Sequence, residues 1–171
     1  MGGMVAQEFM VHYPERTSAV VLSGTSPSFG SSNGEFQKWF LSQRLAPLDR
    51  GLSPSDFAEE LVPNMMSVNP PRKAVEAAIC SMSALPAETY RTALHCLVKF
   101  DQREALGNIT CPTLVLAGEF DEAAPSSMMK KMASYIPDSR FHCLKDVGHL
   151  ANLEDPDAFN SVIQDFLGDV A

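Results

Sequence analysis

Two stretches, Ala19-Val20-Val21-Leu22-Ser23-Gly24 and Thr113-Leu114-Val115-Leu116-Ala117-Gly118, are short, almost continuously apolar, and end on glycine. A strand with one solvated face alternates polar and apolar residues, whereas an unbroken apolar run has both faces covered. Two such runs among helical patterns point to an α/β fold: parallel strands with helices packed on both sides. Arg140-Phe141-His142-Cys143-Leu144 is a weaker third strand pattern.

The helices announce themselves by spacing. From Gly3 to Tyr13, Val5, Ala6, Phe9 and Met10 recur at helical intervals until Pro14 stops the run. Ser126 and Ser127 are read as caps for a helix bearing Met128, Met129, Met132, Ala133 and Ile136, ended by Pro137. Its methionine stripe reads as core packing rather than a ligand surface. Asp155 caps the last helix and Pro156 suits its first position. Phe159, Val162, Ile163, Phe166 and Leu167 then form one apolar stripe.

Between the two strongest strands lies a long middle, residues 27–106, with helical patterns at 35–45, 54–62, 72–83 and 87–98 and no convincing strand. Proline and glycine punctuate it throughout. An all-helical insertion between two strands of one sheet is expected to act as a cap or lid over the sheet's carboxyl edge, where ligands of such sheets bind. The expected division is therefore a core of residues 1–26 and 107–171 and a helical cap of residues 27–106. Phe36, Trp39, Phe40, Met65, Met66 and Met82 are candidate pocket walls within the middle and, taken singly, more ordinary as core.

Composition narrows the class of partner. Of 171 residues, 45% are apolar and 20% charged, and the net charge is −8. That acidity disfavours nucleic acid and anionic membranes, both of which need a positive footprint, and says little about a small-molecule substrate. No apolar run is long enough to span a bilayer, and no basic segment followed by an apolar stretch opens the chain. Cys80, Cys96, Cys111 and Cys143 lack paired spacing and read as buried, reduced thiols. The expectation is a cytoplasmic protein with no metal and no cofactor.

Two loops carry chemistry, each directly after a strand pattern. Asp121 lies in Gly118-Glu119-Phe120-Asp121, and His149 in Asp146-Val147-Gly148-His149. A carboxylate and an imidazole on successive strand ends can meet as an orienting acid and a general base. Each residue alone is as ordinary as a turn aspartate or a surface histidine; together, in this order, they are a candidate catalytic pair. His12, His95 and His142 receive no role.

The pieces MGGMVAQEF…YPERTSAVVLSGTSP, FDQREALGNITCPTLVLAGEFDEAAP and DVGHLANLEDPDAFNSVIQDFL, in that order, resemble the C-terminal part of an α/β-hydrolase-fold enzyme. MGGMVAQ is most similar to 3-oxoadipate enol-lactonases and to related esterases and carbon–carbon bond hydrolases. The resemblance implies that Asp121 is the triad acid and His149 the triad base. It also implies a nucleophile on a G-x-S-x-G elbow, with Met1 directly after that nucleophile, Gly2 as the last elbow glycine, and Met1, Gly2 and Gly3 together as the remnant of that elbow and its oxyanion hole.

On that alignment the nucleophile falls just before Met1, and the Met1 backbone N–H is one donor of the oxyanion hole. Ser23, Thr25 and Ser26 end a strand at the correct edge but lack an elbow and are expected at the cap entrance. The resemblance thus implies a parent serine hydrolase of small esters or lactones, and a chain nearly inactive by itself. An internal methionine read as a start codon would produce such a boundary. The rival expectation is a non-catalytic isoform that binds a small molecule or a partner, with self-association through an exposed sheet edge. A third has another polypeptide supply the front of the fold. The substrate stays open, as does the nucleophile's identity as Ser, Asp or Cys.

Overall fold

A computed structural model describes residues 1–30 and 34–170. The order is α1 (Gly2–His12), β1 (Val20–Ser23), α2 (Glu35–Asp49), α3 (Pro54–Leu61), α4 (Arg72–Ser83), α5 (Ala87–Leu97), β2 (Thr113–Gly118), α6 (Ser126–Ala133), β3 (Ser139–Leu144), α7 (Ala151–Glu154) and α8 (Pro156–Val170). The strands form one parallel sheet in the order β1-β2-β3. Val20 stands opposite Thr113 and Ser23 opposite Leu116, while Thr113 pairs with Ser139 and Gly118 with Leu144. The α/β class expected from the apolar runs is what the chain adopts.

The chain divides into two compact units. One comprises residues 1–27, 65–70 and 102–171 and holds the sheet; the other comprises residues 28–64 and 71–101 and is helical.

In the sheet unit, β2 is central and all six of its residues are buried, which is why its sequence shows no alternation. Its side chains still divide by parity. Val115 and Ala117, with Leu22, enter a core with Met10, Met129, Met132 and Ile136. Leu114 and Leu116 enter a second core with Leu144 and Phe166, against which Phe159, Val162 and Ile163 of α8 also pack. Leu116 is fully buried, so truncating it to alanine costs roughly 2–5 kcal/mol. The methionine stripe of α6 is core, as its spacing indicates.

The edge strand β3 alternates instead. Arg140 and His142 are exposed, and Arg140 lies 5.8 Å from the Phe166 ring centroid while pairing with Asp169 of α8. Asp155 caps α8 as expected: its Oδ1 accepts from Ala158 N at 3.0 Å. The start of α6 differs from expectation. Pro125 (φ −53°, ψ 138°) is the N-cap, and Ser126 is already the first helical residue. An extended proline ends the preceding loop without a side-chain oxygen, and the serine is drawn into the first turn.

In the helical unit, Phe29 packs edge-on to Phe40 at 4.7 Å between centroids, and Phe36 joins them. Phe57 meets Tyr90 at 5.7 Å, and Arg91 pairs with Asp49 at 2.8 Å. At the start of α3, Asp56 Oδ2 accepts from Ser53 N at 2.7 Å and from Ser53 Oγ at 2.6 Å. A cavity of about 390 Å³ opens among Trp39, Arg44, Phe57, Leu61 and Tyr90. Trp39 is the member of the expected pocket-wall set that lines it; Phe36 and Phe40 belong to the ring cluster.

The cysteines depart in part from expectation. All four are free, but Cys80 and Cys96 are exposed and Cys111 and Cys143 half-buried. α4 and α5 bury Ala74, Ala78 and Leu94, which leaves both helical thiols on the outer side. Among the described residues, no helix is long and apolar enough to cross a membrane.

Candidate active site

The carboxyl ends of the three strands converge on one place in the sheet unit. β2 ends at Gly118 and Asp121 follows in the next turn. β3 ends at Leu144 and the chain turns through Asp146, the one described non-glycine residue with positive φ (58°), to reach His149. The two loops are fastened to each other by backbone. Glu119 N donates to Leu144 O and Phe120 N to Val147 O, both at 2.9 Å, while Asp146 N donates to Glu119 Oε2 at 3.1 Å.

This fastening needs glycine. A Cβ on Gly118 would lie 2.2 Å from Gly148 O and 2.8 Å from Val147 O. Backbone cannot rotate away as a flexible side chain can, so the loops approach this closely because position 118 has no side chain.

Asp121 and His149, which sequence reasoning paired, come together: His149 Nδ1 lies 2.8 Å from Asp121 Oδ2. The Asp121 side chain is fully buried and the imidazole one-fifth exposed. The other carboxylate oxygen, Oδ1, accepts from Ala123 N at 2.9 Å and Ala124 N at 2.8 Å. Three donors therefore fix the carboxylate. An ionised carboxylate only accepts hydrogen bonds, so the proton of a neutral imidazole sits on Nδ1 and the lone pair on Nε2. That is the tautomer a general base requires.

The turn after β1, read from the sequence as lying at the same sheet edge but given no part in the pair, completes the surroundings. Gly24 has φ +49°, and a Cβ there would meet His149 Nδ1 at 3.3 Å and Asp121 Oδ2 at 3.4 Å. A side chain at this position would press directly on the pair. Its signal was a strand ending in Ser-Gly-Thr, readable as a stop but not as a neighbour of histidine. Thr25 is buried against α1 rather than at an entrance: a Cβ on Gly3 would fall 2.6 Å from it. Gln7, also buried, donates through Nε2 to Gly3 O and Ser26 O, each at 3.1 Å. Thr25 Oγ1 and Gln7 Oε1 are buried with no hydrogen-bond partner among the described residues.

Of the opening residues, Met1 caps α1 and its carbonyl accepts from Met4 N at 2.9 Å and Val5 N at 3.1 Å. Gly3 has a steric reason to be glycine; a Cβ on Gly2 meets nothing within 4 Å. The structure thus brings Gly3 against Thr25, and Gly24 against His149 and Asp121. Two further elements escaped the sequence reading. Residues 65–70 return to the sheet unit, where His149 N donates to Met65 O at 2.9 Å. Glu154, buried at the end of α7, accepts from Gly148 N and Ser67 N. Their signal was the motif around Asn152-Leu153-Glu154, in which nothing marks the glutamate as buried.

Comparison with known proteins identifies the family. Residues 1–162 match the family model described as the alpha/beta hydrolase family. The chain is 28% identical over 167 residues to 3-oxoadipate enol-lactonase 2 of Acinetobacter baylyi, covering 96% of this chain and 60% of that protein. It is 27% identical over 181 residues to 2-hydroxy-6-oxo-6-phenylhexa-2,4-dienoate hydrolase of Burkholderia cepacia, covering 98% and 60%. Among solved structures, a thermophilic esterase from Thermogutta terrifontis superposes with a TM-score of 0.85 at 28% identity, over 99% of this chain and 62% of the esterase. The chain spans about three fifths of the length of these relatives. It belongs to the alpha/beta hydrolase family.

Proposed function

We propose that this α/β-hydrolase chain carries the acid–base half of a serine hydrolase acting on small esters or lactones. The observation that carries the reading is the His149–Asp121 contact at 2.8 Å, with the second Asp121 oxygen held by two backbone amides. Asp121 orients the imidazole and stabilises its cation. His149 Nε2 takes the proton of a nucleophilic hydroxyl as that oxygen attacks the carbonyl carbon, then returns it to the leaving oxygen. Water repeats the sequence on the acyl intermediate.

In this reading the hydroxyl comes from sequence outside the 171 residues, on an elbow that continues into Met1, Gly2 and Gly3. The Met1 backbone N–H is then an oxyanion donor, and the helices of residues 27–106 serve as the cap that shapes the pocket. The fully buried Asp121 side chain supports a strong field at the imidazole. Ester and lactone chemistry is favoured by the similarity to an enol-lactonase and an esterase; the similarity to the dienoate hydrolase keeps carbon–carbon cleavage as the neighbouring alternative. The free thiols fit a reducing, cytoplasmic setting. A second, non-catalytic reading, small-molecule binding by the helical unit, draws on the cavity of about 390 Å³ there.

The test compares the 171-residue chain with a version extended upstream in the same reading frame, on p-nitrophenyl acetate and a small lactone. The extended protein should turn over, and kcat should fall on the order of 10⁴-fold in Asp121→Asn and on the order of 10⁶-fold in His149→Ala. The 171-residue chain should give the blank rate. Turnover by that chain that vanishes in His149→Ala would overturn the external nucleophile. An extended protein indifferent to both substitutions would overturn the pair, and binding without turnover would favour the second reading.

A further inference from the structure

The loop that presents His149 is held by an acid outside the pair. Glu154 is 6% exposed, and its carboxylate is divided between two backbone donors. Oε1 accepts from Gly148 N at 3.0 Å and Oε2 from Ser67 N at 2.8 Å. Gly148 directly precedes the base, and Ser67 lies on the segment whose Met65 O accepts from His149 N at 2.9 Å. The two backbones abut: a Cβ on Gly148 would fall 2.6 Å from Met66 C and 2.7 Å from Ser67 N.

We propose that Glu154 is a positioning residue, whose carboxylate clamps Gly148 and Ser67 together and thereby fixes the backbone from which His149 reaches Asp121. This deepens the functional reading above, because it concerns the loop that carries the proposed base. A carboxylate is needed because both contacts are N–H donors and an ionised carboxylate accepts through both oxygens. Glutamine has the same size but one acceptor oxygen, so its amide nitrogen would face one of the donors. Hydrogen bonds from buried amides to a charged acceptor are among the stronger ones. The clamp also makes residues 65–70 part of the catalytic apparatus, although they stand 79 to 84 positions from the histidine in sequence.

The experiment compares parent, Glu154→Gln and Asp121→Asn by ¹⁵N spectra of the His149 ring and by amide hydrogen exchange. In the parent, His149 should show one fixed Nδ1–H tautomer, and the Gly148 and Ser67 amides should be protected together. In E154Q these amides should exchange about tenfold faster or more, and the ring should average between tautomers. In the upstream-extended protein the same substitution should lower kcat by about tenfold with KM unchanged, the pattern of lost alignment rather than lost binding.

If E154Q lowers the unfolding temperature but keeps the parent ring spectrum and kcat, Glu154 merely holds the fold and the proposal fails. Rapid exchange of Gly148 and Ser67 amides in the parent overturns it without any variant, which covers an E154Q that does not fold. Asp121→Asn separates this proposal from the functional reading. If D121N leaves the ring unchanged while E154Q alters it, the clamp stands and the acid–base pair falls.

Discussion

Gly118→Ala is the substitution that most directly links the packing of the sheet to the site. A Cβ there would lie 2.2 Å from Gly148 O, 2.8 Å from Val147 O and 3.0 Å from Gly148 C. Restoring an ordinary carbon–oxygen contact requires the loops after β2 and β3 to part by about 1 Å, since every clashing atom is backbone. The Phe120 N–Val147 O bond, 2.9 Å long, then exceeds hydrogen-bonding distance, and so does the His149–Asp121 contact of 2.8 Å. Overpacking of this kind costs about 1–3 kcal/mol and the lost backbone bond about 1 more, giving roughly 2–4 kcal/mol. In urea the unfolding midpoint should fall by about 1 M or more, and the His149 Nδ1–H proton signal should be lost. Gly107→Ala is the control, because its Cβ would meet nothing closer than Tyr135 O at 4.0 Å. A G118A protein with the midpoint of G107A and an intact His149 signal would refute the close-approach reasoning.

Two further expectations concern thiols and acid. At pH 8 an aromatic disulfide reagent should modify the exposed Cys80 and Cys96 quickly. Cys111 and Cys143, whose thiols burial pushes upward, should follow slowly, because less thiolate is present; four equal rates would contradict this. The Ser53 hydroxyl and backbone N–H hold the Asp56 carboxyl below its ordinary value of 3.8. A carboxyl depressed in the folded state contributes stability that is present above 3.8 and lost as pH falls through the lower, folded value. The stability gap between parent and Asp56→Asn should therefore close as pH is lowered from about 5 to about 2, and stability curves that stay parallel across that range would remove Asp56 from the linkage.

What could be read in the sequence was what burial imposes on side-chain type. β1 and β2 were legible because covering both faces demands apolar residues in succession, and β3 was weaker because an edge strand leaves Arg140 and His142 in solvent. Asp121 and His149 were legible because strand-end loops present functional groups and each residue type is chemically distinctive. Glu154, Gly24 and residues 65–70 were not, for a shared reason. Their contributions are made to backbone amides or through the absence of a Cβ, and they join segments remote in the chain. No periodicity records such contacts. The thiols of α4 and α5 show the opposite error: cysteine's general preference for burial was applied to helix faces that the packing leaves outside.

The pairing of β1 with β2 has a consequence for how the molecule is made. Their partners Ser23 and Leu116 are separated by on the order of 90 residues of chain, whereas β2 and β3 follow one another within a single short crossover. Closing the longer loop costs more entropy and makes contact order high. The β2–α6–β3 module should therefore assemble first, and β1 should dock late, once α2, α3, α4 and α5 have formed and shortened the effective loop. Gly24 rides on that late strand. On this order of assembly the histidine and aspartate can meet before it arrives, while the turn that closes over them is set only when β1 docks.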